Sequence, residues 1–302
     1  MKTYSGGVAL AHVERSGFIE GFHYGSVVVL SATGDVVASA GDITGPIFPR
    51  STNKPFQAIG MMRSGLPITE PLELALVAAS HFGEPFHIAR IRKMLGDLEA
   101  ALRCPPDHPL ADACVPPERI YMNCSGKHTG MLLTCVANGW SLDDYYEPDH
   151  PLQQALIAAI EECTGESVAA IGVDGCGAPV AAVSLTGLAN GFLRIADHAI
   201  ADAMRAYPEY TSGTERDDAR LMRAVPGLFS KGGAEGVWAA AIAGVGSVAL
   251  KIDDGASRPR GPVMIAALKH LGIEVDVPQL ISPEVLGRGE RVGGVHVTWG
   301  SR

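Results

Sequence analysis

A serine and a lysine stand three residues apart in Arg50-Ser51-Thr52-Asn53-Lys54-Pro55-Phe56-Gln57, just ahead of an apolar-periodic segment. Residues i and i+3 share a helical face, so an uncharged Lys54 amine could take the Ser51 proton and make its oxygen nucleophilic. Ordinary capping is the other reading, with Ser51 or Thr52 accepting from a first-turn N–H and Pro55 filling an early position that needs no donor. So short a spacing recurs by chance and does not choose between them. Three more segments carry reactive side chains among small residues. Asn123-Cys124-Ser125-Gly126-Lys127-His128-Thr129-Gly130 holds three candidate ligands or bases, Asp174-Gly175-Cys176-Gly177-Ala178-Pro179 follows an apolar run, and Lys231-Gly232-Gly233-Ala234-Glu235-Gly236 precedes another. Loops at strand ends commonly carry function. From spacing alone, Cys124, His128 and Cys176 make the natural zinc set, because i and i+4 lie on one helical face and imidazole is a common ligand.

The order of these segments adds information. Serine acyl-transfer enzymes of the penicillin-recognising type use S-x-x-K, then S/Y-x-N, then K-T-G on a strand. Ser51-x-x-Lys54, Tyr121-Met122-Asn123 and Lys231-Gly232-Gly233 follow the same order. Gly232 stands where that pattern has a hydroxyl residue, so a side-chain donor for a substrate carboxylate is missing. This counts against β-lactamase or peptidase activity and leaves amidase chemistry open.

Elements must position these groups. GSVVVLSATGDVVASAGD alternates around Thr33-Gly34-Asp35 and predicts a hairpin. Helical spacing predicts helices over about 52–64, 72–80, 85–102, 126–138, 150–164, 178–190, 193–206 and 261–271. SVAAIGV (167–173) predicts a buried strand, PEYTSGTERDD (208–218) a surface loop, GVWAAAIAGVGSVALKIDDG a second hairpin, and VGGVHVTW a closing strand. Prolines in CPPDHPLADACVPPERIYMN predict a loop. Strands at both ends with helices between them predict an α+β fold whose antiparallel sheet is built from both chain ends. With no repeat or linker, residues 1–302 read as one domain.

Composition narrows the function. The 302 residues are 47% hydrophobic and 19% charged, enough to bury a large core. A net charge of −9 without a basic run disfavours nucleic acid and anionic lipid as partners. No stretch predicts a membrane span or a secretory signal. Six scattered cysteines then suit reduced thiols in a cytoplasm rather than a disulfide scaffold.

Together, RSTNKPFQ, AASHFGEPFHIAR, NCSGKHTGML, VDGCGAPV, KGGAEG and VALKIDDG resemble the class 3, Rhizobium-type L-asparaginases, also called the asparaginase II family, over nearly the whole chain. The resemblance implies a serine-β-lactamase-like fold, a homodimer, and hydrolysis of L-asparagine to aspartate and ammonia. It implies two Ser–Lys tandems, Ser51 with Lys54 and Ser80 with Lys231, and a zinc ion on Cys124, Lys127 and Cys176 with water as fourth ligand. Asp174 and His128 then orient ligands or contact the substrate ammonium. Ser51 is the favoured nucleophile with Lys54 as base, Ser80 and Lys231 acting as a relay; the opposite assignment stays open. Bringing a lysine from about 10.4 to neutrality at pH 7 costs roughly 4.6 kcal/mol, which only a closed site can supply.

Blander readings accompany these. Arg50 can hold a substrate carboxylate in a bidentate pair or serve as a structural ion-pair partner. His81-x-x-Glu84-x-x-His87 has metal-ligand spacing, yet Pro85 starts a helix inside it, so capping by Glu84 and packing by the histidines are expected. Asp253-Asp254-Gly255 reads as a turn. Rival functions are a glutaminase or other serine amidase on the same scaffold, and a catalytically silent zinc-binding protein.

Overall fold

The β-branched alternation at the two chain ends does produce strands, and they join one sheet. The computed structural model describes residues 3–300. In chain order its elements are β1 (Val8–Arg15), β2 (Phe18–Ser31), β3 (Val36–Ala40), β4 (Pro46–Ile47), α1 (Lys54–Arg63), α2 (Pro71–Val77), α3 (Pro85–Leu95), α4 (Ser125–Asn138) and α5 (Pro151–Thr164). There follow β5 (Ala170–Val173), β6 (Pro179–Ser184), α6 (Leu185–Arg194), α7 (Ala199–Ala206), α8 (Pro208–Thr211), α9 (Asp217–Ala224), β7 (Leu228–Gly232), β8 (Val237–Ile242), β9 (Gly246–Ile252), α10 (Arg260–Lys269), α11 (Pro278–Ile281), β10 (Glu284–Gly287) and β11 (Glu290–Val297). The chain falls into two compact units, one made of the described residues up to Thr52, Val183–Ala196 and the described residues from Arg220, the other of Asn53–Ala182 and Asp197–Ala219.

The first unit holds the antiparallel sheet, ordered β10-β11-β1-β2-β9-β8-β7 with β3 also paired to β2. This is the α+β arrangement predicted from the strand clusters at both ends. Val27, Val28, Val29 and Leu30 of β2 are all fully buried, so both faces of the sheet are covered there. Helices α6 and α10 pack on β2 and β9, and Phe192 of α6 stacks on Phe229 of β7 with centroids 4.9 Å apart.

The second unit is helical, with α4 packed against α1, α2, α3 and α5. The glycine pair of Asn123–Gly130 sets how closely. A Cβ on Gly126 would lie 2.4 Å from the Leu76 carbonyl oxygen, and one on Gly130 would lie 2.8 Å from Val77. These glycines let α4 settle on the end of α2. Gly126→Ala is therefore expected to cost about 1–3 kcal/mol, because a backbone carbonyl cannot swing aside as a side chain can. A urea midpoint equal to wild type would contradict this.

Several elements differ from the sequence expectation. The 85–102 helix stops at Leu95, where Gly96 turns to φ +51, and continues only as a 3-10 segment, Gly96–Ala101. The strand at 167–173 is shorter and not buried, since Ile171 is 47% and Val173 79% exposed. The buried strand is β6, in the first part of the stretch expected to be helical over 178–190. Short apolar runs do not separate strand from helix by period alone. The helix begins only after Ser184, whose Oγ accepts from Gly187 N at 2.9 Å, and the next, α7, starts at Ala199, not near 193. The polar stretch 208–218 is no surface loop throughout, for Thr211 and Ser212 are buried. Their hydroxyls bond the carbonyls of Tyr207 and Pro208 four residues back, which removes the cost of burying them.

Candidate active site

Lys54 opens α1 with its side chain 1% exposed. Its Nζ donates to Ala79 O at 2.6 Å and to Ser80 Oγ at 2.9 Å. The apolar run Leu74–Ala79 is buried throughout, so the end of α2 is held firmly. Ser80 N donates to Thr211 O and His81 N to Asn123 O, both at 3.1 Å. Ser80 is therefore presented, half-buried, on a backbone anchored from two sides. The capping reading of RSTNKPFQ fares differently. Residues Arg50–Asn53 form a 3-10 turn, the Thr52 hydroxyl donates to Pro49 O at 2.7 Å, and Asn53 at the N-cap position makes no capping bond.

Cys124, Lys127 and His128 sit at the start of α4, all buried. Cys176 lies in the turn between β5 and β6, which Asp174 closes through Asp174 N to Ala178 O at 2.9 Å and Gly177 N to Asp174 O at 2.8 Å. Lys127 Nζ reaches Cys176 Sγ at 3.2 Å. Neighbouring Cys124 first of all, then Lys127 and His128, hold Cys176 below the ordinary thiol range against the effect of burial. Neighbouring Cys176 and burial push Cys124 well up, and its thiol donates to Asn123 Oδ1 at 3.1 Å. Burial works against the Lys127 ammonium, but Cys176, Cys124 and Asp174 outweigh it and raise Lys127. Lys127 and Cys176 thus sit in a buried contact in which each favours the charged form of the other.

His128 points its Nδ1 at Tyr145 Oη, 2.7 Å away, while its buried Nε2 has no hydrogen-bond partner. Burial keeps the ring neutral. Among the described residues no three His, Cys, Asp or Glu side chains gather closely enough to hold a metal ion by themselves. The Cys124–His128–Cys176 trio that spacing suggests is thus not assembled, and Lys127 is the group in direct contact with Cys176.

In the sheet-bearing unit, Lys231 lies on β7, 1% exposed, with Nζ donating to Gly232 O at 2.8 Å. A Cβ on Gly233 would stand 2.5 Å from Pro49 O and 3.4 Å from Ser51 N. Only glycine there lets the end of β7 lie against the Ser51 backbone. Arg50 and Glu235 both adopt left-handed backbone, φ +56 and +57, and form an ion pair at 3.7 Å. Two non-glycine residues in that region store strain of the kind found at functional sites.

The family model of L-asparaginase II matches residues 11–297. The chain belongs to the L-asparaginase II family. That places it among hydrolases acting on amides. No curated relative matches the chain. Among solved structures, a β-lactamase from Mycobacterium bovis is 15% identical, over 77% of this chain and 88% of that one, with a TM-score of 0.36. A protein from Bacteroides dorei assigned as a β-lactamase is 13% identical, over 82% and 93%, with a TM-score of 0.46. Among the described residues no helix is long and apolar enough to cross a membrane.

Within this L-asparaginase II chain, sequence reasoning missed several residues around the candidate groups. Arg260 donates to Gly233 O at 3.1 Å and lies over Trp238, 5.7 Å from its centroid, so it holds the turn beside Ser51. Tyr145 accepts from Arg103 N at 3.0 Å and meets His128. Neither carries a local signal, because each acts on residues far away in the chain. Glu84 does not cap α3; its carboxylate accepts from Thr214 N at 2.8 Å and Thr214 Oγ1 at 2.7 Å. His81 and His87 are buried and stacked with centroids 5.4 Å apart. Asp253 accepts from Gly7 N at 2.9 Å and Asp254 from His23 Nδ1 at 2.6 Å, so that turn fastens the sheet.

Proposed function

We propose that this chain hydrolyses the side-chain amide of L-asparagine to L-aspartate and ammonia through a serine acyl-enzyme. The observation that carries the reading is the buried Lys54 amine 2.9 Å from Ser80 Oγ, in a chain of the L-asparaginase II family. Ser51, three residues ahead of Lys54, attacks the amide carbon while an uncharged Lys54 takes its proton. The C–N bond breaks as Ser80, exchanging protons with Lys54, protonates the departing nitrogen; Lys231 supplies the second amine of this relay. Water, activated by the same base, then cleaves the ester and releases aspartate. Arg50 would bind the substrate α-carboxylate in exchange for its exposed partner Glu235, and Asp174 and His128 would contact the substrate ammonium or the ligands. The test compares ammonia release from asparagine, glutamine and a chromogenic lactam. Turnover of glutamine without asparagine would defeat the substrate assignment, and equal rates for wild type, Ser51→Ala and Ser80→Ala would defeat the mechanism.

Cys124, Lys127 and Cys176 fit a zinc ion in donor chemistry once Lys127 gives up its proton, since only the neutral amine has a lone pair to offer. The 3.2 Å between Lys127 Nζ and Cys176 Sγ is close to the roughly 3.5 Å that separates an amine and a thiolate on tetrahedral zinc. When bound, zinc would hold substrate polar groups and shape the site. Chelation is expected to lower kcat about tenfold to a hundredfold without abolishing turnover, read by ammonia release before and after zinc is restored. Complete and irreversible loss would contradict a supporting role. A homodimer in a reducing cytoplasm completes the reading; the six free thiols agree with the compartment, and sedimentation tests the assembly.

A further inference from the structure

Ser80 and Cys124 belong to distant segments of the chain, and one buried side chain joins their neighbours. His81 is fully buried. Its backbone N–H donates to Asn123 O at 3.1 Å, and its Nε2 lies 2.9 Å from Ser125 Oγ. The single hydroxyl proton of Ser125 goes to Ile120 O at 2.7 Å, so Ser125 Oγ can only accept from the imidazole. His81 therefore carries its proton on Nε2, and its buried Nδ1 is a bare acceptor without a hydrogen-bond partner. Asn123 and Ser125 flank Cys124, and Ser80 immediately precedes His81. Both bonds of His81 thus run between the residue beside Ser80 and the residues on either side of Cys124. The Ser125 carbonyl is itself tied down, accepting from Thr129 Oγ1 at 2.8 Å, so the acceptor of the His81 bond sits on a fixed first turn of α4.

We propose that His81 is a positioning residue that holds Ser80, with its Lys54 partner, in register with the Cys124–Lys127 segment through the Nε2–H bond to Ser125. This rests on the reading above of Ser80 as a proton carrier and of Cys124, Lys127 and Cys176 as zinc ligands. The consequence is a coupling. Loosening one bond should disturb both proton transfer and metal affinity, although His81 touches neither substrate nor metal.

A double-mutant cycle on the full chain tests this. His81→Phe keeps a ring stacked on His87 and removes the donor; Ser125→Ala removes the acceptor. In protein shown to be folded by its unfolding midpoint, kcat on asparagine, KM, and zinc affinity by competition with a chromogenic chelator are measured for each. The expected result is a fall of about tenfold to a hundredfold in kcat and in zinc affinity for either variant, with KM little changed. The double variant should be no worse than the worse single, because both remove one bond. Wild-type kcat and zinc affinity in His81→Phe, or losses that simply multiply in the double variant, would overturn the inference while leaving the proposed reaction intact. If His81→Phe does not fold, Ser125→Ala decides by the same two readouts. A wild-type protein that neither releases ammonia from asparagine nor binds zinc would overturn both the reaction and the inference.

Discussion

Lys54→Met is expected to lower kcat for asparagine by about a hundredfold to ten-thousandfold, the range over which a positioned general base acts. Methionine fills the volume of a side chain that is 1% exposed but offers no amine to Ser51 or Ser80. Two structural effects accompany the loss. Ala79 O and Ser80 Oγ give up donors at 2.6 and 2.9 Å, and a buried carbonyl left without a donor costs about 1–3 kcal/mol. In the other direction, removing a buried amine recovers the cost of taking a polar group out of water. The two partly cancel, so stability should change far less than rate. Single-turnover kinetics and a urea unfolding curve on the same sample separate them. A folded Lys54→Met that works within tenfold of wild type would end the case for this amine as base.

Acid is expected to unfold the protein in a range where most carboxylates are still ionised. His81 and His128 are fully buried, and burial first of all pushes His81 well down from the usual imidazole value, with neighbouring His87 and Lys54 adding to it, and also lowers His128. His87 is lowered too, again mainly by burial. In the unfolded chain these rings protonate near 6.5. Stability is therefore complete above about pH 6.5 and falls as pH drops, because the unfolded state binds protons the folded state refuses. Each ring removes up to about 1.4 kcal/mol per pH unit until its folded value is reached, so His81 and His128 together remove up to about 2.8 kcal/mol per unit. Against a total of about 5–15 kcal/mol this is a large loss. Urea midpoints at pH 7.5, 6.5 and 5.5, taken with chelator present so that metal release adds nothing, should be nearly equal for the first pair and much lower for the last. A flat series would show that these rings accept protons without unfolding.

Local chemistry accounts for what was legible in the residues alone. The turn at Thr33-Gly34-Asp35, the helices starting near Lys54, Ser125, Pro151 and Arg260, and the strands at both ends each depend on neighbours a few positions away. The reactive residue types and their segments were legible for the same reason, as was the large apolar content. What needed the folded chain was every relation between distant residues. Lys54 meets Ser80 across 26 positions, and Lys127 meets Cys176 across 49. Spacing favoured His128 as a ligand because it counts only helical periodicity, whereas in the folded chain it is Lys127 that reaches the Cys176 sulfur. PVAAVS became a strand because β5 and β4 pair with it, a stabilisation outside the run itself. Sequence spacing, then, decided what each short segment could become. Burial and long-range hydrogen bonds decided which groups face one another, since both are set by close packing between parts of the chain that carry no local record of each other.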